Sequence, residues 1–292
     1  MTEHEKISKI LEKVQKQEIR VSYQENVDET LPVMTSKIGG CPSLPEDFVW
    51  PRYKGEAFDG VDKERPLSFM AQINLSDVAI YDEEGLLPHT GMLSFFYELM
   101  TMRWGFDPED TGCAKVYYFS EGTALSRTAA PKDLEEDAVM PECSISFDKH
   151  ISLPEYQDYK KLDSEAQGNV RLWEVYDEVC CELGYMRDNW GNRTKLLGYP
   201  DVIQNSMEEE CESLLRGYRR GCPEDFAKIP ENVKLEIKEK STDWMLLFQM
   251  GTIETGDSEI MFGDCGHIYF WIRKQDLQAL DFEKVWLILQ CS

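Results

Sequence analysis

Four histidines, His4, His89, His150 and His267, are the only side chains in the sequence able to serve as a conventional neutral-pH base. A Ser-His-Asp or Cys-His site would need one of them beside a nucleophile and steadied by a carboxylate. No Gly-x-Ser-x-Gly elbow occurs. His4 falls in a charged first helical turn, His89 in a Pro88-His89-Thr90-Gly91 turn, and His150 after a charged strand end. His267 alone lies in a tight polar and aromatic setting, and a strand histidine is more often packed and hydrogen-bonded than basic. Asp264-Cys265-x-His267 offers metal-ligand types, but zinc sites need a second spaced pair and none follows. Strand alternation would also send Asp264 to the opposite face from Cys265 and His267. No metal and no cofactor is therefore expected. Gly39-Gly40 opens neither phosphate-binding pattern and reads as a turn.

Three aromatic–glycine–polar clusters remain: Trp104-Gly105-x-Asp107, Trp190-Gly191-Asn192 and Phe262-Gly263-Asp264. An aromatic face beside a hydrogen-bonding group suits sugar, base or peptide recognition. The plainer account is a turn anchored by its aromatic. Gln72 and Gln249 end two similar apolar runs; inside strands, each amide needs partners, either as cross-bracing or toward a ligand.

The elements that must position these residues follow from periodicity. Thr2-x-x-Glu5 is a capping box, with Ile7, Ile10, Leu11 and Val14 on one helical face behind it. Residues 31–66 hold five prolines, which excludes long regular elements there; Phe48, Val49, Trp50, Tyr53 and Phe58 in that stretch need cover. Strands are expected at about 67–75, 92–99, 114–120, 144–148, 235–238, 244–250, 267–272 and 285–291. Helices are expected from Ser152-Leu153-Pro154-Glu155, over Leu172 to Leu183 with Gly184 as its stop, from Ser206-x-x-Glu209, and near 274–280. The Glu208 to Glu210 run suits the positive end of a helix dipole.

Two stretches read as imperfect copies. Gly40-Cys41-Pro42, the run ending Gln72-Ile73, and Gly91 before an aromatic strand match Gly198-Tyr199-Pro200, the run ending Gln249-Met250, and Gly266 before another. The expectation is an α+β fold of largely antiparallel sheets from an internal duplication, forming one body over residues 1–292. Repeat 1 covers about 31–148, a helical segment about 152–217, and repeat 2 about 197–292. The two related sheets should pack together, with the N-terminal helix on one of them.

The same residues carry a resemblance. Ser36-Lys37-Ile38-Gly39-Gly40-x-Pro42-x-Leu44-Pro45, Trp50-Pro51, Pro66 through Ile73, and the ending Gly263-Asp264-x-Gly266-x-Ile268-Tyr269-Phe270-Trp271 resemble the YwqG-like family of bacterial proteins. Phe262 stands where that pattern expects tryptophan. The resemblance implies an α+β body with internal duplication, and it supplies no catalytic residues.

Charge narrows the partners. With 31 basic against 55 acidic residues the net charge is −24, which repels nucleic-acid phosphate and anionic lipid. No apolar stretch reaches the length of a membrane span. The highly charged start lacks a signal-peptide pattern, and nine scattered cysteines without Cys-x-x-Cys read as cytoplasmic thiols. Adjacent Cys180 and Cys181 on a helix should point apart. The leading expectation is a cytoplasmic binding protein, with a basic protein as partner. The alternative is an enzyme or small-molecule binder using Trp104, Asp107, Asp264, His267, Gln72 and Gln249 in a cleft at the repeat junction.

Overall fold

A computed structural model describes residues 1–26, 31–57, 60–163, 172–185, 190–256 and 258–292. Phe58 lies outside them, and of Trp190 only the backbone is described. Ten strands form the main sheet: β1 (Lys16–Glu25), β2 (Lys37–Ile38), β3 (Ser68–Asn74), β4 (Met92–Tyr97), β5 (Ala114–Phe119), β6 (Cys143–Ser152), β7 (Thr194–Leu196), β8 (Trp244–Met250), β9 (His267–Arg273) and β10 (Trp286–Gln290). Their order across the sheet is β10-β9-β8-β7-β1-β6-β2-β3-β4-β5, and every described pairing is antiparallel. The fold is thus mixed α and β on antiparallel sheet.

The expected pair of sheets is one sheet, because β1 and β6 run side by side over ten residues and join the halves. β1 escapes a periodicity search because its buried face carries Glu18 and Arg20. The halves still meet face to face: the Phe95 ring centroid lies 4.6 Å from that of Phe248 and 5.2 Å from that of Phe270. The two edges also converge. Trp104 O accepts from Leu289 N at 2.9 Å, and Gly105 O accepts from the Trp286 indole at 2.9 Å. Gly105 has φ +77°, and a Cβ there would sit 1.9 Å from Leu287 O, so that closure requires glycine.

Eight helices occur among the described residues: α1 (Glu3–Val14), α2 (Leu75–Val78), α3 (Tyr156–Leu162), α4 (Leu172–Glu182), α5 (Glu208–Leu215), α6 (Pro223–Ala227), α7 (Glu231–Lys240) and α8 (Lys274–Gln278). None is long and apolar enough to cross a membrane. The α1 capping box forms as its sequence dictates. α1 packs on the helical layer and not chiefly on the sheet: Ile7 and Leu11 join Tyr159, Leu172, Tyr176 and Val179 in one cluster. Cys180 faces that cluster and Cys181 faces out.

Two other expectations are corrected. Residues 235–238 lie in α7, where Ile237 is buried and Leu235 is 71% exposed. The local alternation was accidental within a run of strong helix formers entered through Pro230. Ser152 ends β6 and does not cap α3, whose first residue is Tyr156. Its hydroxyl accepts from Tyr199 N at 2.8 Å instead, tying β6 to the chain after β7.

Candidate functional site

Where β1, β7 and β8 adjoin, the sheet buries an ionic network. Lys195, fully buried on β7, donates to Glu18 Oε2 at 2.8 Å and to Asp201 Oδ1 at 3.1 Å. Arg20 Nε donates to Glu18 Oε1 at 2.7 Å, and Arg193 Nη1 to Asp201 Oδ1 at 2.8 Å. Burial alone would push both carboxyls up, but Lys195 beside them, with Arg193 at Asp201, holds both below their ordinary range.

Gln249 belongs to this network. Its amide accepts from Asp201 N at 2.9 Å and donates to Arg193 O and Asp201 Oδ2. Buried His267 reaches it through Tyr269, whose hydroxyl lies 3.3 Å from Nδ1 and donates to Asp201 O at 2.6 Å. Gln72 lies in the other half, opposite Lys37, with its amide bonded to Ser43 N, Thr35 O and Val33 O. Lys37 there donates to Glu142 and Cys41 O. Asp264 is on an exposed turn. Trp104, 42% exposed, and Asp107 lie on the loop that closes the sheet edges. The structure therefore brings Gln249 and His267 together and leaves Gln72, Asp264 and the loop with Trp104 and Asp107 outside that network. Among the described residues no cluster of three His, Cys, Asp or Glu side chains is placed to hold a metal ion.

A concave site does exist, elsewhere. A groove of about 980 Å³ runs between the start of β1, α3, the chain from Tyr199 into α5, the 220–226 segment, and Ser241 to Trp244. Glu210 lines it. The side chain is 8% exposed, and its Oε2 has no hydrogen-bond partner. Burial pushes its carboxyl up to about 7, with Arg220 opposing the shift and Glu208 and Glu209 adding to it. Arg220 also lines the groove, stacked over Phe226 at 4.6 Å, and its buried Nη1 is likewise without a hydrogen bond. The two charges feel each other, yet no ion pair joins them.

The surrounding chain fixes both groups. Met207, Glu210, Cys211 and Leu214 fall at helical spacing on the buried face of α5, so the helix itself drives Glu210 inward. Arg220 N donates to Phe106 O at 3.1 Å, and neighbouring Arg219 pairs with Asp107. The edge loop noted from its Trp-Gly-x-Asp cluster thus carries the strand of chain that presents Arg220.

Comparison with known proteins was made against this geometry. Residues 36–291 match the family described as Domain of unknown function (DUF1963). The chain belongs to that family. No curated protein matches it.

In this DUF1963 domain the groove also holds a hydroxyl, a lysine and a carboxylate in mutual hydrogen bonds. Ser206 Oγ accepts from Lys161 Nζ at 2.6 Å, and Lys161 also donates to Asp158 at 2.7 Å. A lysine that is donating to a hydroxyl cannot deprotonate it. Both Ser206 and Lys161 are satisfied by this arrangement, whereas Glu210 and Arg220 keep unused hydrogen-bonding atoms. Sequence reading passed over Glu210 because the helix dipole already accounted for an acidic first turn. Its place among Met207, Cys211 and Leu214 was the available signal.

Proposed function

We propose that this chain is a binding protein that takes an extended peptide segment in the groove, the main-chain amide spanning Glu210 and Arg220. The observation that carries this is the pair of buried, unused atoms. When Glu210 is ionised its Oε2 accepts only, and Nη1 of Arg220 donates only. A group that lies between them, donating on one side and accepting on the other, satisfies both, and a trans peptide unit is such a group. The volume suits it, lying at the upper end of the roughly 300–1,000 Å³ of ligand sites. Phe226, Trp244 and Tyr199 supply apolar walls.

The test is native mass spectrometry with a pooled library of tetrapeptides blocked at both ends. Wild-type protein should retain a subset. Glu210→Leu and Arg220→Met should each weaken that retention about tenfold, the loss expected when one buried ligand group goes unsatisfied. A retained set indifferent to both substitutions refutes the proposal.

A second interaction is supported by the net charge of −24: association with a basic protein through the acidic surface. Screening weakens such binding steeply with salt. Basic proteins that fail to bind even at low ionic strength would dispose of it.

Within the family we place the chain among the YwqG-like proteins, on the residues quoted above, and read its halves as copies. Lys37 opposite Gln72 corresponds to Lys195 opposite Gln249. Both long strands shift register at the same point, between Phe69 and Ala71 and between Leu246 and Phe248. Nine free thiols support a reducing, cytoplasmic location; a native disulfide found by differential alkylation would count against it.

A further inference from the structure

We infer that the peptide is read by its C-terminal end, its α-carboxylate resting on Lys16. This rests on the peptide-binding proposal above. Lys16 opens β1 and lines the same groove from a different element than Glu210. Its ammonium lies 4.1 Å from the centroid of the Tyr199 ring and makes no hydrogen bond or ion pair among the described residues. The ring under it is fixed, because the Tyr199 hydroxyl donates to Val14 O at 2.7 Å and Tyr199 N donates to Ser152 Oγ at 2.8 Å. Glu208, Glu84 and Lys274 are the charges that act on Lys16, and none contacts it.

The other groove lysines are committed or solvated. Lys161 is held by Asp158 and Ser206, Lys274 reaches Thr242 O at 3.5 Å, and Lys238 is exposed. A half-buried ammonium without an anion is left for a ligand to complete, and a carboxylate at ion-pair distance does so with charge-assisted hydrogen bonds. The Glu210–Arg220 pair reads what every peptide unit offers, and Lys16 adds what only the end of a chain, or an acidic side chain, offers.

Three pools of N-acetylated tetrapeptides separate these sources: free C-terminus without Asp or Glu, the same peptides amidated, and amidated peptides carrying one Glu. Retention is read by native mass spectrometry on the full chain. The free-terminus pool should exceed its amidated twin about tenfold, one charge-assisted contact. Lys16→Gln should bring the ratio of the two pools to about one. Equal retention of the first two pools overturns the inference and leaves the peptide proposal standing. Preference for the Glu pool alone also overturns it, assigning Lys16 to a side chain. Retention of no pool refutes the peptide proposal itself, and this inference with it.

Discussion

Replacing Glu210 with glutamine should stabilise the protein, and by an amount that depends on pH. Burial pushes the Glu210 carboxyl from 4.5 to about 7. The folded chain therefore keeps a proton that the unfolded chain gives up between those values. Linkage then fixes the sign: stability is fully present below the unfolded value and is lost as pH rises through about 7. At about 1.4 kcal/mol per unit, the charged carboxylate costs the fold about 3 kcal/mol at pH 8. Glu210→Gln keeps shape and hydrogen-bonding capacity without titrating. Urea unfolding of both proteins at pH 4, 6 and 8 should give nearly equal stabilities at pH 4 and a gap opening to about 3 kcal/mol in the variant's favour at pH 8. Every other titrating group is common to both proteins, so the difference isolates this one. Parallel stability–pH curves would refute the claim that a buried, uncompensated carboxyl lines the groove.

Other substitutions probe the frame around the groove. Lys195→Met should destabilise by about 3–5 kcal/mol in the same unfolding assay, because it strips the cation shared by buried Glu18 and Asp201; a loss under 1 kcal/mol would mean that water enters the network. Gly105→Ala should cost about 2 kcal/mol or more, since positive φ and a carbonyl at 1.9 Å act together. Gly112→Ala, at φ +92° with open space around it, should cost only about 1 kcal/mol; equal losses would show that the edge closure is loose. If the halves are copies, Gln72→Leu and Gln249→Leu should destabilise by similar amounts, each leaving several main-chain groups unsatisfied. A harmless change at either one breaks the equivalence.

The apolar strands were legible because their signal is local. Trp244 to Phe248 is a continuous apolar run opened by Asp243, and the strand covers it and continues to Met250. The central strand β1 was not, since Glu18 and Arg20 occupy one of its buried faces and Glu18 depends on a cation distant in sequence. Lys195 is 177 residues away from Glu18. The glutamines were legible as buried amides needing partners, but not which partners: each bonds within its own half. The groove was least legible of all. Its lining comes from six separate stretches of chain, and its decisive residue is one acid among 55.

Two buried acidic centres in one protein allow structure and site to be told apart on physical grounds. In the sheet, Glu18 and Asp201 are held low because cations and amides meet their oxygens. Such a network is costly to assemble, and its carboxylates are answered by cations inside the sheet. In the groove, Glu208 and Glu210 are pushed up because burial wins over the cations nearby. Arg220 stands close enough to matter and too far to pair. Closing that distance would recover stability, but the segment that carries Arg220 is tied to Phe106 and Asp107. A fold that holds the two charges apart gives up stability there. Under the proposed peptide binding the loss is recovered when something between them donates to one and accepts from the other, so the stabilisation measured for Glu210→Gln should vanish when a groove-binding peptide saturates the wild-type protein.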